Sequence, residues 1–467
     1  MNYATTSISI IAEYVGRAWR PHMRLEKAGS GPLFLPVHLK TRLDAIVNGM
    51  TVEHATDLPV AVCRECDWVI QVPSRAPGES VHCPRCNHHI APPAQSDRQR
   101  PLAWAMAALI MLALVFAFDF LSFSTRGVSH TMSFFDAART MAGHDYPSLA
   151  VLLFCTTVGL PGAYLLAVVF LLWQASRHKA GAATRALARQ LRPLEPWMMS
   201  DVFIVGVLVS LIKIVTLADV SIGLSFIAFC IYALLVLRTF MLIDWPALWA
   251  DLAPMPALHT HLETGRTGAS QNLVVCRGCD MPFPNDRGKC PRCGGRHIAH
   301  AIDRIQLTWA LLITAVILYI PANIYPIMST TSLGSTDPQT IVGGVLHLAH
   351  TGSWPIALVI FVASVVVPIS KIVALAWLCL TATYRWHHNS RTQMRLYRVT
   401  EKIGRWSMID VFVVAVLVAL VRAGALMAIE PGPAALCFAA VVIITMIAAL
   451  TFDTRQLWDE TFEMNTR

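Results

Sequence analysis

The fold of this chain is constrained most strongly by eight apolar stretches. Several of them are longer than 18 residues, which is long enough to cross a bilayer as a helix. Only 14% of the 467 residues are charged, and the mean hydropathy is +0.53. A soluble protein of this length carries more charge. We therefore predict an all-α polytopic membrane protein. The predicted spans cover residues 102–123, 147–173, 200–217, 222–243, 307–328, 354–381, 409–427 and 433–452.

The distribution of basic residues predicts the orientation. Connections 174–199 and 382–405 hold five and six Lys or Arg, and segment 244–306 holds seven, whereas segment 329–353 holds none. Basic loops stay in the cytoplasm, so both termini and both Cys-rich segments are expected there. The net charge of +8 is thus mainly a topology signal. Nucleic acid is not expected as a partner, because no basic face with aromatic platforms is evident.

The chain contains two copies of one unit. WMMSDVFIVGVLVSL (197–211) aligns with WSMIDVFVVAVLVAL (406–420), and this alignment pairs Asp201 with Asp410. Four spans in each copy give both copies the same orientation, as in a parallel repeat. The predicted divisions are an N-terminal extension (1–58), a first Cys-rich domain (59–95), a first four-helix domain (100–250), a second Cys-rich domain (270–300) and a second four-helix domain (305–460).

Each Cys-rich segment contains two Cys-x-x-Cys pairs, which is the pattern of a tetrahedral zinc ribbon. The spacer between the pairs runs from Asp67 to His82 in the first segment and from Asp280 to Lys289 in the second. A closed structural Zn²⁺ site is favoured over a redox dithiol, which would need a thioredoxin-like βαβ context, and over a catalytic zinc, which needs an open ligand position. The predicted ligands are Cys63, Cys66, Cys83, Cys86, Cys276, Cys279, Cys290 and Cys293.

Polar residues inside the C-terminal spans predict a substrate cavity. A charged side chain within a bilayer is costly, and such residues usually face a bundle interior or water. Lys371 lies about ten residues, roughly 15 Å, from the cytoplasmic end of its span. Ser364, seven positions earlier, shares its helical face; Asp410 and Thr445 are on the following spans. For Asp410, the alternative of a helix cap at the membrane interface is equally open.

These motifs together resemble the paraquat-inducible protein A family. They comprise two four-helix blocks, each preceded by a Cys-x-x-Cys…Cys-Pro-x-Cys segment, the Trp-x-x-x-Asp motif, and Asn323 with Pro326 in an N-x-x-P element. The resemblance covers roughly residues 60–460. In the first half Asp119 stands where Asn323 would be, and no proline follows.

The resemblance implies a function. Members are inner-membrane parts of envelope systems in which periplasmic MCE-domain proteins form lipid-conducting tunnels. It implies transfer of phospholipid to or from such a tunnel, with Ser364, Lys371, Asp410 and Thr445 as a polar network, and no enzymatic activity. The chain has no P-loop for ATP. A non-transporting scaffold for the tunnel protein and a membrane thiol oxidoreductase remain the alternatives.

Overall fold

The structure is a computed structural model, and the helices, strands and connections that it describes begin after the predicted N-terminal extension. Residues 1–58 therefore lie outside the described part of the chain. The described residues are 60–72, 79–91, 99–125, 128–133, 147–177, 180–215, 219–256, 262–296, 301–332, 335–350, 352, 354–384, 389–421 and 427–458.

The first half contains a Cys-rich domain of two small hairpins followed by helices and a three-stranded sheet. The strands of the hairpins are β1 (Val60–Val62), β2 (Val69–Gln71), β3 (Val81–His82) and β4 (His89–Ala91). The elements that follow are α1 (Gln99–Val115), β5 (Leu121–Thr125), β6 (Val128–Met132), α2 (Pro147–Phe154), α3 (Leu160–Ser176), α4 (Ala182–Leu191), α5 (Ser200–Val215), β7 (Asp219–Ile222), α6 (Leu224–Leu242) and α7 (Trp245–Leu252).

The second half repeats this order with one hairpin of named strands in its Cys-rich domain. Its elements are β8 (Leu273–Val275), β9 (Pro282–Pro284), α8 (Ala301–Ile324), β10 (Met328–Ser332), β11 (Ser335–Gln339), α9 (Ile341–His350), α10 (Trp354–Phe361), α11 (Val367–Thr383), α12 (Ser390–Gly404), α13 (Ile409–Val421), β12 (Met427–Pro431) and α14 (Pro433–Thr451).

Six helical segments of the described chain are long and apolar enough to cross a membrane. They are Ala150–Ser176, Ala182–Leu211, Leu224–Leu242, Arg304–Ile324, Ala357–Thr383 and Pro433–Thr451. The other two predicted spans correspond to shorter helices, α1 with 17 residues and α13 with 13. The segment Ala182–Leu211 includes the amphipathic helix α4, so the apolar helix within it is α5.

Two three-stranded sheets at the opposite end from the Cys-rich domains correct the expectation of an all-α fold. Their strand orders are β6-β5-β7 and β11-β10-β12. The sequence analysis did not predict these strands, because strands of four or five residues give little periodic signal. Their third strands, moreover, arrive from much further along the chain. The fold is mostly helical, with both helical blocks joined to such a sheet.

Glycine is required where the third strand of each sheet leads into the next helix. A Cβ atom on Gly223 would lie 2.0 Å from the carbonyl oxygen of Asp119, and one on Gly432 would lie 2.1 Å from that of Pro326. Both distances are far below van der Waals contact, so only glycine allows the backbone to pass. The two glycines occupy equivalent positions in the two repeats, and the same constraint therefore applies to both.

The two halves meet through the equivalent helices α5 and α13. The rings of Phe203 and Phe412, which align with each other in the repeat, pack edge to face with centroids 5.6 Å apart. Gly206 allows this close approach, since a Cβ atom there would lie 2.9 Å from Cβ of Phe412. The hydroxyl of Ser210 donates across the contact to the carbonyl of Val413 at 3.3 Å. Equivalent residues facing one another indicate a pseudo-twofold relation between the halves.

A π-helical turn interrupts the second long helix of each half. The turns are Cys155–Gly159, between α2 and α3, and Val362–Val366, between α10 and α11. Pro161 and Pro368 follow them, and proline supplies no backbone N–H to the preceding turn. Such turns frequently mark functional positions in helices.

Candidate functional site

Two clusters of four cysteine sulfurs are the candidate metal sites. In each cluster the four Sγ atoms lie within 4.8 Å of one another, and all eight side chains are buried. The shortest Sγ–Sγ distances are 3.6 Å for Cys63–Cys86, 3.5 Å for Cys66–Cys83, 3.4 Å for Cys276–Cys293 and 3.5 Å for Cys279–Cys290.

These distances suit metal ligation. A disulfide would bring two sulfurs to about 2.05 Å, whereas four thiolates at about 2.3 Å from a tetrahedral zinc lie about 3.8 Å apart. Each cluster can therefore hold a metal ion. The eight residues are the ones that their spacing predicted, and the structure brings both pairs of each segment together.

Four similar turns build the two clusters. After each Cys-x-x-Cys pair, the next residue donates its backbone N–H to the carbonyl of the first cysteine at 2.8–2.9 Å. That residue has a positive φ in all four turns: Asp67, Asn87, Asp280 and Gly294. Aspartate, asparagine and glycine are the residues that tolerate this left-handed conformation. This signal was present in the sequence but was not used in the sequence analysis.

The first Cys-rich domain contacts the second helical block. The Arg85 guanidinium lies over the Trp458 ring at 4.9 Å and donates to the Trp458 carbonyl at 3.2 Å. Arg398, on α12, donates to the Glu65 carboxylate at 2.6 Å. The Thr454 hydroxyl donates to the carbonyl of Glu65 at 3.1 Å. The domain at the start of the described chain is thus attached to its end.

The second Cys-rich domain makes the corresponding contacts with the first helical block. Arg292 lies 5.9 Å from the Trp249 ring and donates to the carbonyl of Ala253 at 2.9 Å. Arg189, on α4, donates to the carbonyl of Cys293 at 3.1 Å. Each Cys-Pro-Arg-Cys arginine therefore binds a tryptophan of the opposite half, in a crossed arrangement.

Asp453 joins the second Cys-rich domain to the ends of the helices in the second half. Its carboxylate lies 3.1 Å from the Arg277 guanidinium and 3.5 Å from that of Arg304. It also accepts the backbone N–H of Arg455 at 3.3 Å. Burial alone would raise the pKa of Asp453, but the charges of Arg455, Arg277 and Arg304 hold it below its usual value.

Asp453→Asn is expected to lower stability by about 1–3 kcal/mol at pH 7, since it leaves partly buried arginines without their carboxylate. Because the folded-state pKa is depressed, this contribution is present above the unfolded pKa near 3.9 and is lost as the pH falls through the folded value. Thermal unfolding in detergent from pH 7 to pH 3 measures it.

The control for this prediction is Asp244→Asn at the equivalent position, where the carboxylate caps α7 by accepting the N–H of Ala247 at 3.1 Å. Acid also releases metal from cysteines in all of these proteins. The quantity to compare is therefore the difference in unfolding temperature between each variant and wild type at the same pH. A constant difference between the Asp453→Asn variant and wild type down to pH 3 would contradict the prediction.

Lys371 is a buried cation at the centre of the predicted cavity. The residue is 3% exposed, and its Nζ has no hydrogen-bond partner within the part of the chain that the structure describes. Gly404, at the end of α12, faces it so closely that a Cβ atom there would lie 2.7 Å from Nζ. Glu401, one turn earlier on α12, is near enough for its charge to act on Lys371. A buried ammonium without a hydrogen-bond partner is costly, because it has lost its hydration without compensation.

At the position equivalent to Lys371, the first half has a polar side chain whose hydrogen bond is made within the protein. Tyr164 corresponds to Lys371 in the matching stretches LPGAYLLA and VPISKIVA, and it donates its hydroxyl to the Glu195 carboxylate at 2.9 Å. The Trp245 indole N–H donates to the same oxygen at 3.0 Å. Glu195 aligns with Gly404 in the repeat, so the second half lacks the carboxylate that completes this group in the first. Comparison of the repeats would have identified Gly404, which the sequence analysis missed.

Ser364 and Thr445, the hydroxyl residues predicted for the cavity, are both buried. Ser364 lies in the π-helical turn before α11 and donates to the carbonyl of Ile360 at 2.6 Å, while Thr445, on α14, donates to that of Val442 at 2.9 Å. Asp410 is the second residue of α13, and its side chain lies outside the described residues. A shared cavity of these four residues remains a prediction.

The fold and the clusters define a class: a multi-pass membrane protein of two repeated helical blocks, with two buried four-cysteine clusters able to hold metal ions. A model of the protein family described as "Paraquat-inducible protein A" matches residues 98–253 and 305–462. The chain belongs to the paraquat-inducible protein A family.

Three relatives are similar over most of their length. "Intermembrane transport protein PqiA" of Escherichia coli (strain K12) is 41% identical over 407 residues, covering 87% of this chain and 97% of the relative. "Probable intermembrane transport protein" of Haemophilus influenzae is 31% identical, covering 85% and 95%. "Lipophilic envelope-spanning tunnel protein A" of Escherichia coli (strain K12) is 29% identical, covering 87% and 92%. No solved structure matches.

Proposed function

We propose that this protein is an inner-membrane transport component that passes phospholipid between the inner membrane and a periplasmic MCE-domain tunnel protein. The observation that carries the proposal is Lys371, whose buried ammonium lacks a hydrogen-bond partner among the described residues and faces a glycine. A lipid headgroup phosphate would supply a negatively charged hydrogen-bond acceptor for this ammonium. The names of the relatives, which refer to intermembrane transport, support the same conclusion.

The proposal includes the finer architecture. Helices α1 and α13 also cross the membrane in this proposal, although they are shorter than the other six segments. Together the eight segments make eight crossings. The Cys-rich domains (59–95 and 270–300) are zinc ribbons in this proposal, since tetrahedral four-thiolate sites suit zinc. The residues that would hold the two ions are the eight clustered cysteines, and bound metal would supply the stability that such small domains lack. The basic connections support a cytoplasmic location for both ribbons and both termini.

In this mechanism the chain's own residues bind and orient the lipid. Lys371 pairs with the phosphate. The hydroxyls of Ser364 and Thr445 already donate to backbone carbonyls, so they would act as acceptors for donor groups of the headgroup and not as donors to the phosphate. Asp410 balances the charge of Lys371 when the lipid leaves. No bond is made or broken, so the protein is not an enzyme.

The experiment measures tightly bound lipid. Wild type and Lys371→Ala are purified from native membranes, and phospholipid per protein is quantified by mass spectrometry. We expect one phospholipid per wild-type protein and its loss in the variant, while metal content and thermal unfolding show that the variant is folded. Thr383→Ala, at the exposed end of α11, is the control. Equal, non-stoichiometric lipid in all three proteins would contradict the proposal.

Two alternatives make different predictions. A scaffold that only anchors the tunnel protein would tolerate Lys371→Ala in a transport assay. A thiol oxidoreductase would react with alkylating reagents before metal removal, which the burial of all eight clustered cysteines disfavours.

A further inference from the structure

A polar cavity of about 830 Å³ lies between the two Cys-rich domains and the adjoining ends of the helices. Residues from four parts of the chain line it: Arg64 from the first Cys-rich domain, Arg277 and Arg296 from the second, Arg192 after α4, and Arg455 near the end of the described chain. Its volume falls in the range of small-molecule binding sites. Because Lys289 and Arg296 line it and are exposed, solutes can reach it.

Positive charge is in excess in this cavity. Among the described residues that line it, seven are Lys or Arg and four are Asp or Glu. Two of the carboxylates already have partners outside the cavity lining: Glu65 pairs with Arg398, and Asp453 lies 3.5 Å from Arg304. The lining therefore has three more cationic than anionic side chains.

Arg64 illustrates this excess. Its guanidinium lies 3.8 Å from the Asp280 carboxylate. Asp280 is shared, because Arg192 also donates to it. Two guanidiniums of the lining therefore depend on one carboxylate.

The thiolates of a loaded metal site would add negative charge nearby. Of the eight clustered cysteines, Cys276 is the one that lines the cavity. Arg189, one of the seven cationic residues of the lining, also donates to the carbonyl of Cys293. Even with Cys276 counted as a thiolate, these seven cationic side chains outnumber the five anionic groups of the lining.

We propose that this cavity binds a phosphate-bearing anion with more than one negative charge. Arginine forks match phosphate oxygens in geometry, and a multiply charged anion relieves the repulsion among the guanidiniums. The phosphate has two possible sources, a soluble organic phosphate or the headgroup of an anionic lipid, since the cavity adjoins the helix ends. Either anion would bridge the two Cys-rich domains, and so would tie the two halves together. This inference does not depend on the proposed function of Lys371.

The test uses the full-length, metal-loaded protein in nanodiscs of phosphatidylcholine. Pyrophosphate is titrated by calorimetry at low and at moderate salt. A second preparation contains phosphatidic acid in the nanodisc and no soluble phosphate, and retained phosphatidic acid is counted by native mass spectrometry. The variant combines Lys289→Gln and Arg296→Gln, whose exposed side chains leave folding intact, and Arg64→Gln is measured beside it. Arg287→Gln, exposed on the same domain and outside the cavity, is the control.

We expect saturable pyrophosphate binding that weakens about tenfold or more in the double variant and in Arg64→Gln, weakens with salt, and is unchanged in Arg287→Gln. Retention of phosphatidic acid with the same dependence on these residues, without pyrophosphate binding, would assign the site to a lipid headgroup. Absence of both, or equal weakening in Arg287→Gln, would overturn the proposal.

Discussion

Cys83→Ser is expected to empty the first metal site and to loosen the second helical block, which lies at the other end of the sequence. Loss of one of four ligands weakens a site whose binding free energy supports local folding. The first Cys-rich domain then releases Trp458 and the α12 arginine that pairs with Glu65. The Arg398–Glu65 pair is partly buried, with side chains 26% and 19% exposed, and loss of its charge-assisted hydrogen bonds costs about 1.5–3 kcal/mol.

Metal analysis and hydrogen exchange measure this effect. We expect the metal content to fall from two ions to one. Amide protection should fall in α12 and around Thr454, whereas α4 and α7 keep theirs. Cys290→Ser gives the reciprocal comparison and should loosen α4 and α7. Cys437→Ser, outside both clusters, should keep both ions. If Cys83→Ser lowered amide protection in α4 and α7 of the first block instead, the crossed arrangement would be wrong.

Gly404→Glu is expected to remove bound phospholipid as completely as Lys371→Ala while it raises thermal stability. The new carboxylate would stand where Glu195 stands in the first half. This carboxylate would contact the Lys371 ammonium, because the flexible end of the lysine side chain can shift to accommodate the new side chain. A charge-assisted hydrogen bond contributes about 1.5–3 kcal/mol, and it replaces an unpaired buried charge.

Lipid content and unfolding temperature are measured together for this prediction. Gly404→Ala displaces the amine without pairing it and should reduce the lipid content without raising stability. Gly288→Glu adds the same charge at an exposed glycine with open space around it and should change neither quantity. Lipid at the wild-type level in Gly404→Glu would show that binding does not need a free ammonium at Lys371.

The sequence predicted the two clusters of four cysteines correctly because their information is local. Each Cys-x-x-Cys pair fixes a turn by its own short spacing, and the residue after each pair suits the required conformation. Membrane helices are similarly local, since length and hydropathy suffice to mark them. This is why the predicted stretches correspond to helices, although α1 and α13 are shorter than expected.

The environment of Lys371 was only half predicted. A lysine within an apolar span indicates a functional position, but the sequence places no partner beside it. Gly404 meets the lysine because α12 turns back along α11. That packing depends on contacts between segments far apart in the chain.

The sequence by itself determined that the chain has apolar helices, two similar halves, two sets of four cysteines and a lysine within an apolar span. These follow from composition, spacing and repetition. Only the tertiary structure decided which half each Cys-rich domain binds, which strands complete each sheet, and which charges gather between the domains. The physical reason is that two equivalent halves offer each Cys-rich domain the same tryptophan and arginine partners. The choice between them is made by the packing of the whole chain and not by any local pattern.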